Sequence, residues 1–76
     1  MTYKQFCRIV FDNYSAEKKP PFCLTNDLQL RAWLMEIFGV KRMTVYTWKM
    51  SDHLPDRVGQ SLCVMFPDVF SPSSAV

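Results

Sequence analysis

Glycine is scarce in this chain: of 76 residues, only Gly39 and Gly59 are glycine. Two isolated glycines cannot build the glycine-rich loop that cradles phosphate groups. Histidine is scarcer still. His53 stands alone, without cysteines or carboxylates at metal-ligand spacing. Structural zinc takes four ligands in paired spacings, so no metal is expected. Asp52 and Asp56 flank His53, but a short loop on a small bundle gives no cleft. No Ser-His-Asp or Cys-His arrangement can be argued, and neither catalysis, a cofactor nor a small-molecule substrate is expected. Cysteine is odd in number (Cys7, Cys23 and Cys63) and irregular in spacing, which excludes a disulfide framework. A reducing cytoplasm is the expected compartment. No apolar run approaches the ~18 residues of a membrane span, and no basic-then-apolar leader opens the chain. Neither a membrane nor a secretory role is expected. A strong charge of one sign is also missing. Nine Lys and Arg against seven Asp and Glu leave a net charge of +2, compatible with nucleic acid but no pointer to it.

What is present is apolar residue in helical rhythm. Nearly half the chain is apolar (49%), enough for one core and one domain of modest stability. Tyr3, Phe6, Cys7, Val10 and Tyr14 fall on one stripe and predict a first helix over 2–14, with Thr2 as its cap. Ser15 to Thr25 is the connection; Pro20 and Pro21 break the rhythm. Lys18 and Lys19 there suit a solvated loop better than a phosphate contact. Asn26 to Phe38 is the second helix, capped by Asn26 with Gln29 completing a capping box. Leu30, Leu34, Ile37 and Phe38 form its inward stripe. Leu28, Ala32 and Met35 lie on another side, with Trp33 between, so this helix is expected to be buried on more than one side, by this chain or by a partner. Pro55 to Phe66 is a fourth helix, with Val58, Leu62, Met65 and Phe66 inward and Gly59 open to close approach by another helix. Val69 and Phe70 either fold back on the bundle or insert into a second subunit, and 71–76 is expected to be disordered.

The chain is organised around Glu36 to Lys49. One helix ends there, Gly39 turns the backbone in a left-handed conformation, and Lys41 to Met50 forms the third helix. Val45 and Trp48, three apart, lock that helix onto the second. At about 100° per residue, Met43, Tyr46, Thr47 and Met50 face the opposite way, flanked by Arg42 and Lys49.

Gly39-Val40, Val45, Trp48-Lys49, Leu54-Pro55 and Leu62 reproduce the run G-(I/V)-x4-V-x2-W-K-x4-(I/L)-P-x6-L. In this the chain resembles the Cro-like helix-turn-helix repressors of lambdoid phages and prophages. Leu34, Phe38, Val40, Val45 and Trp48 also occupy the apolar positions of the generic helix-turn-helix around Gly39. Met35 departs from it, standing where a small alanine is usual, and leaves less room between the helices. The likeness covers about 29–66.

The resemblance implies an all-α bundle of four or five helices over 1–70, of the lambda-repressor-like kind, and a transcriptional regulator that binds an operator in double-stranded DNA as a homodimer. The third helix would enter the major groove. Arg42 would pair with guanine, and Thr47 would meet a base edge or a thymine methyl. Met43 and Met50 share that face, Tyr46 would reach a phosphate or stack, Lys49 flanks the face, and Lys41, near the inward edge, completes the DNA-binding set. Arg31, near the start of the second helix, and Arg57, on the first turn of the fourth, would touch the phosphate backbone. His53 is at best a phosphate contact. The alternative is a protein-binding module that sequesters another regulator. Two methionines and a tyrosine are unusually apolar for a solvent face, and methionine suits adaptable interfaces.

Overall fold

The computed structural model describes residues 1–70, and among them every regular element is a helix. Helix α1 spans Tyr3–Asp12, α2 Asp27–Phe38, α3 Arg42–Ser51, α4 Asp56–Met65 and α5 Pro67–Phe70. The disorder expected over 71–76 lies outside the described residues.

Each helix begins and ends for a local reason. The Thr2 hydroxyl accepts the Gln5 N–H at 3.1 Å, and the Gln5 side chain accepts the Thr2 N–H at 2.9 Å, a complete capping box. The helix stops at Asn13, whose amide donates back to the Ile9 carbonyl at 2.8 Å. Tyr14 therefore falls outside the helix and is exposed, a correction to the stripe that included it. Asn26 caps α2 by accepting the Gln29 N–H at 2.9 Å. The other half of the expected box is displaced by one residue: Gln29 accepts the N–H of Thr25, at 2.8 Å, and not that of Asn26. Gly39 ends α2 at φ 61° and ψ 33°, and the N–H groups of Gly39 and Val40 both donate to the Met35 carbonyl. That left-handed position is open to glycine at no steric cost.

Helix α3 ends at Asp52, also left-handed at φ 52°, which a short polar side chain tolerates. Its carboxylate accepts the Lys4 N–H at 2.9 Å, and the Leu54 N–H donates to the Met1 carbonyl at 3.2 Å. The first residues are thereby fastened to the turn between α3 and α4. Pro55 stands in the position preceding α4, where its missing N–H leaves nothing unsatisfied, and Asp56 follows at the positive end of the helix.

The core draws on every helix: Phe6 and Val10 of α1, Leu30, Trp33 and Leu34 of α2, Val45 and Trp48 of α3, Val58 and Leu62 of α4, and Phe70 of α5. One end is aromatic. Phe6 stacks between Trp33 and Phe70 at centroid distances of 6.5 and 6.0 Å, and Phe22 meets Phe66 edge-on at 5.1 Å. Phe70 thus folds back onto its own bundle, and the Cys63 thiol donates to its carbonyl. Three expectations are corrected here. Ile37, read as part of the inward stripe, is exposed, and Trp33, read as lying between the two apolar sides, is buried instead, because α2 turns its tryptophan toward Phe6 and Phe66. Met65 is exposed as α4 runs out beside α5. The connection over 15–25 is also more than a solvated loop: it buries Pro21 and Phe22, and Lys18 Nζ sits 5.7 Å above the Phe22 ring.

Candidate nucleic-acid interface

Two residues set the orientation of α3. Val45 is wholly buried and Trp48 is 7% exposed, so the ridge diametrically opposite must face out. Met43 is 67% exposed, Met50 66% and Tyr46 44%. Arg42, Thr47 and Lys49 are exposed as well, and Lys41 is exposed where it flanks the start of the helix. The connection Gly39 to Lys41 brings this surface beside the outer side of α2. Between the two helices runs a groove of about 530 Å³, lined by Leu28, Arg31, Ala32 and Met35 of α2 and by Arg42, Met43 and Tyr46 of α3. Among the described residues, its charged lining consists of two arginines. Met35 reaches the core with one side and lines the groove with the other, so the bulk that replaces the usual small residue fills the seam between the helices.

Asp27, the first residue of α2, organises the side of this surface nearest α1. One carboxylate oxygen accepts the Tyr3 hydroxyl at 3.0 Å and lies 3.9 Å from the Cys7 sulfur. The other accepts from Lys49 Nζ at 3.0 Å and faces Arg31 Nε at 3.1 Å. The Arg31 contact pairs charges without aligning a hydrogen bond, since its buried Nε–H has no hydrogen-bond acceptor. Burial alone raises the carboxyl of Asp27. The hydrogen bonds from Lys49 and Tyr3, with the charges of Lys49 and Arg31, outweigh it and hold the group below its ordinary value. Burial and the adjacent Asp27 carboxylate push the Tyr3 hydroxyl well above its ordinary range. Burial and Asp27 likewise push the Cys7 thiol up to about 11, which makes it a poor nucleophile.

The structure therefore sorts the candidate residues. Arg42, Met43, Tyr46, Thr47 and Met50 come together on the exposed side of α3, and Lys41 is exposed at its N-cap. Lys49 is on its border but already bound to Asp27, and Arg31 lies half-buried under the same carboxylate. Arg57 is exposed on α4, where it lines a separate shallow depression of about 430 Å³ with Gln60, Ser61, Val64 and Met65. It is not brought into the α2–α3 groove. Asp27 itself went unread as a site residue. The one signal in the sequence was its spacing of four from Arg31, an ordinary helical ion pair. Nothing local announces Tyr3 and Lys49 as its other partners.

Among the described residues, no three His, Cys, Asp or Glu side chains gather as metal ligands, and no helix is long and apolar enough to cross a membrane. Comparison of the chain with protein-family models, with curated proteins and with solved structures finds no match in any of the three.

Proposed function

We propose that the protein is a sequence-specific regulator of transcription that binds double-stranded DNA in the manner of Cro-like repressors. In this reading α2, the turn at Gly39 and α3 make up a helix-turn-helix, and α3 is the helix that enters the major groove. One observation carries the reading. Among the described residues, Met43, Thr47 and Met50 on the outer side of α3 are exposed, while its inner side is fixed by Val45 and Trp48. A helix of 10 residues is about 15 Å long and slender enough for a groove about 12 Å wide. Lys41 and Arg42 stand at its leading end, and no carboxylate lines the adjoining groove. That sign of charge suits an approaching phosphate backbone. As a dimer, two such helices would have to lie roughly 34–36 Å apart to meet successive major grooves.

The test is a titration of the full chain against random-sequence duplex at low salt, repeated as salt is raised. A groove reader binds weakly but measurably, and its affinity falls linearly on a log–log scale with salt. No affinity at low salt overturns the reading. The second reading, a protein-binding module that sequesters another regulator, keeps one specific observation in its favour: the outward residues Met43, Tyr46 and Met50 are mostly apolar. It expects no duplex binding.

A further inference from the structure

The outermost line along α3 is Met43, Thr47 and Met50, at i, i+4 and i+7, which places them within about a fifth of a turn of one another. The two methionines offer thioethers and methyl groups. Threonine would ordinarily add a hydroxyl donor, but Thr47 Oγ1 donates to the Met43 carbonyl at 2.9 Å, inside the same helix. What Thr47 has left is a methyl group and an oxygen that can only accept. Tyr46, three residues after Met43, is the polar neighbour nearest this line, and it offers a single phenolic hydroxyl at the groove's edge. Lys49 Nζ is held by Asp27 at 3.0 Å, Ser51 Oγ donates to the Thr47 carbonyl at 2.8 Å, and Thr44 precedes the buried Val45 on the flank. Arg42, at the first position of α3, is the one guanidinium on the exposed surface of that helix.

A base edge can be read in only a few ways. Guanine and adenine are recognised by donors set bidentate against their major-groove edge, and thymine alone presents a methyl group there. Three methyl-bearing side chains flanked by the single hydroxyl of Tyr46 cannot set two donors against one purine edge, and they are suited to the second kind of contact. We infer that this ridge selects operator half-sites rich in thymine through contacts with the C5-methyl groups, and that guanine is read only at the end of the half-site met by Arg42. The inference rests on the duplex-binding reading above and names the sequence class that reading leaves open. The groove beside the ridge fits the same occupant, since its charged lining is cationic throughout.

Uracil differs from thymine by that methyl group alone, which makes the test direct. The full chain is used to select duplexes from a random pool, and each thymine of the recovered half-site is then replaced in turn by deoxyuridine. Burying one methyl group is worth about a fourfold change in affinity. Enrichment of thymine runs, with about fourfold weaker binding for each uracil under the ridge, is the expected result. The variants Met43→Ser and Met50→Ser change side chains that are two-thirds exposed, so the fold should persist. Each should bind the thymine and uracil duplexes equally at the position it faces. Selection of a defined sequence whose binding ignores uracil overturns the inference and leaves the DNA-binding reading standing. Retention of no duplex at low salt overturns both, and assigns the apolar ridge to a protein partner.

Discussion

Helices α3 and α4 are near twins in construction. Each has ten residues, each plants two apolar side chains in the core, and each leaves apolar side chains outside. For α3 the outer residues are Met43, Tyr46 and Met50; for α4 they are Met65 and Val64, the latter 81% exposed. The difference lies in what surrounds them. The groove beside α3 has arginine as its only charged lining residue, whereas the depressions on α4 mix Asp56 and Arg57 with Gln60 and the open position at Gly59. Helix α3 is also tied by Lys49 to a carboxylate on α2, and α4 takes part in no ion pair among the described residues. Exposed apolar side chains are common on any protein and do not mark a site. Here the sign of the surrounding charge, and the care with which the helix is held, separate a candidate reading surface from ordinary surface.

Removal of the inward anchors should have the largest effect. Trp48→Ala should cost about 3–5 kcal/mol and Leu62→Ala about 2–5 kcal/mol, from lost transfer energy and the cavity left behind. Both are large fractions of a small domain's stability, and urea unfolding followed by circular dichroism would measure them. Should Trp48→Ala keep the native midpoint, Trp48 does not hold α3, and the outward assignment of Met43, Tyr46 and Thr47 falls with it.

The outer residues should behave in the opposite way, with stability unchanged and binding altered. Arg42→Ala is expected to cost about 1–3 kcal/mol of binding to a preferred duplex and to relax preference at one position. Arg57→Ala, on the twin helix, should weaken all sequences alike and reduce the salt slope by about one. Fluorescence anisotropy with preferred and scrambled duplexes separates the two effects. Equal loss of selectivity from both variants would erase the distinction between the helices.

Asp27, which ties α3 to α2 through Lys49, makes stability depend on pH. Asp27→Ala strips the buried Tyr3 hydroxyl of its acceptor and should cost about 1–3 kcal/mol; Asp27→Asn keeps an acceptor and should cost less. The folded state holds the Asp27 carboxyl below its ordinary 3.8. The unfolded chain therefore takes up the proton first, and the stability this carboxylate contributes is complete above about pH 4 and drains as pH falls through the folded value. Cys7 runs the other way. Its pKa rises from 9.0 to about 11 in the folded state, so its contribution is complete below pH 9 and is lost as pH rises toward 11, with Tyr3 acting in the same direction. Urea midpoints across pH should form a plateau between these edges. Asp27→Asn should flatten the acid edge, and Cys7→Ala should soften the alkaline one.

Much of this was legible in the order of residues. The spans of α2, α3 and α4 fall within one or two residues of those read from periodicity and capping, and Val45 and Trp48 face inward as their spacing requires. Periodicity failed where a helix is apolar most of the way round. On α2 either Trp33 or Ile37 could have pointed in, and only the positions of Phe6 and Phe66, far away in the chain, decide it. The burial of Phe22 was hidden by the prolines beside it, which announce a loop but not its depth. The Asp27 cluster was illegible for the same reason as Trp33. It joins residues 20 or more positions apart, and no local rule reports such a meeting.

The smallest effects belong to the two glycines, and they should have opposite signs. A Cβ at Gly39 would meet nothing within 4 Å, so Gly39→Ala should lose only the ease of its left-handed conformation, at φ 61°, or about 1 kcal/mol. A Cβ at Gly59 also meets nothing within 4 Å, but there the backbone is helical. Among the described residues, no helix makes the close approach to Gly59 that its sequence position had suggested. Gly59→Ala should therefore stabilise the monomer by roughly 0.5–1 kcal/mol, the difference in helix propensity, read as a rise in the urea midpoint. The measurement also weighs α4 as the contact between two subunits. If α4 packs closely on a second copy at Gly59, the added methyl group should raise the midpoint of dilute protein while weakening self-association in sedimentation. A midpoint that rises with association unchanged leaves α4 as plain surface, the contrast with α3 that the mixed charges of Asp56 and Arg57 already suggest.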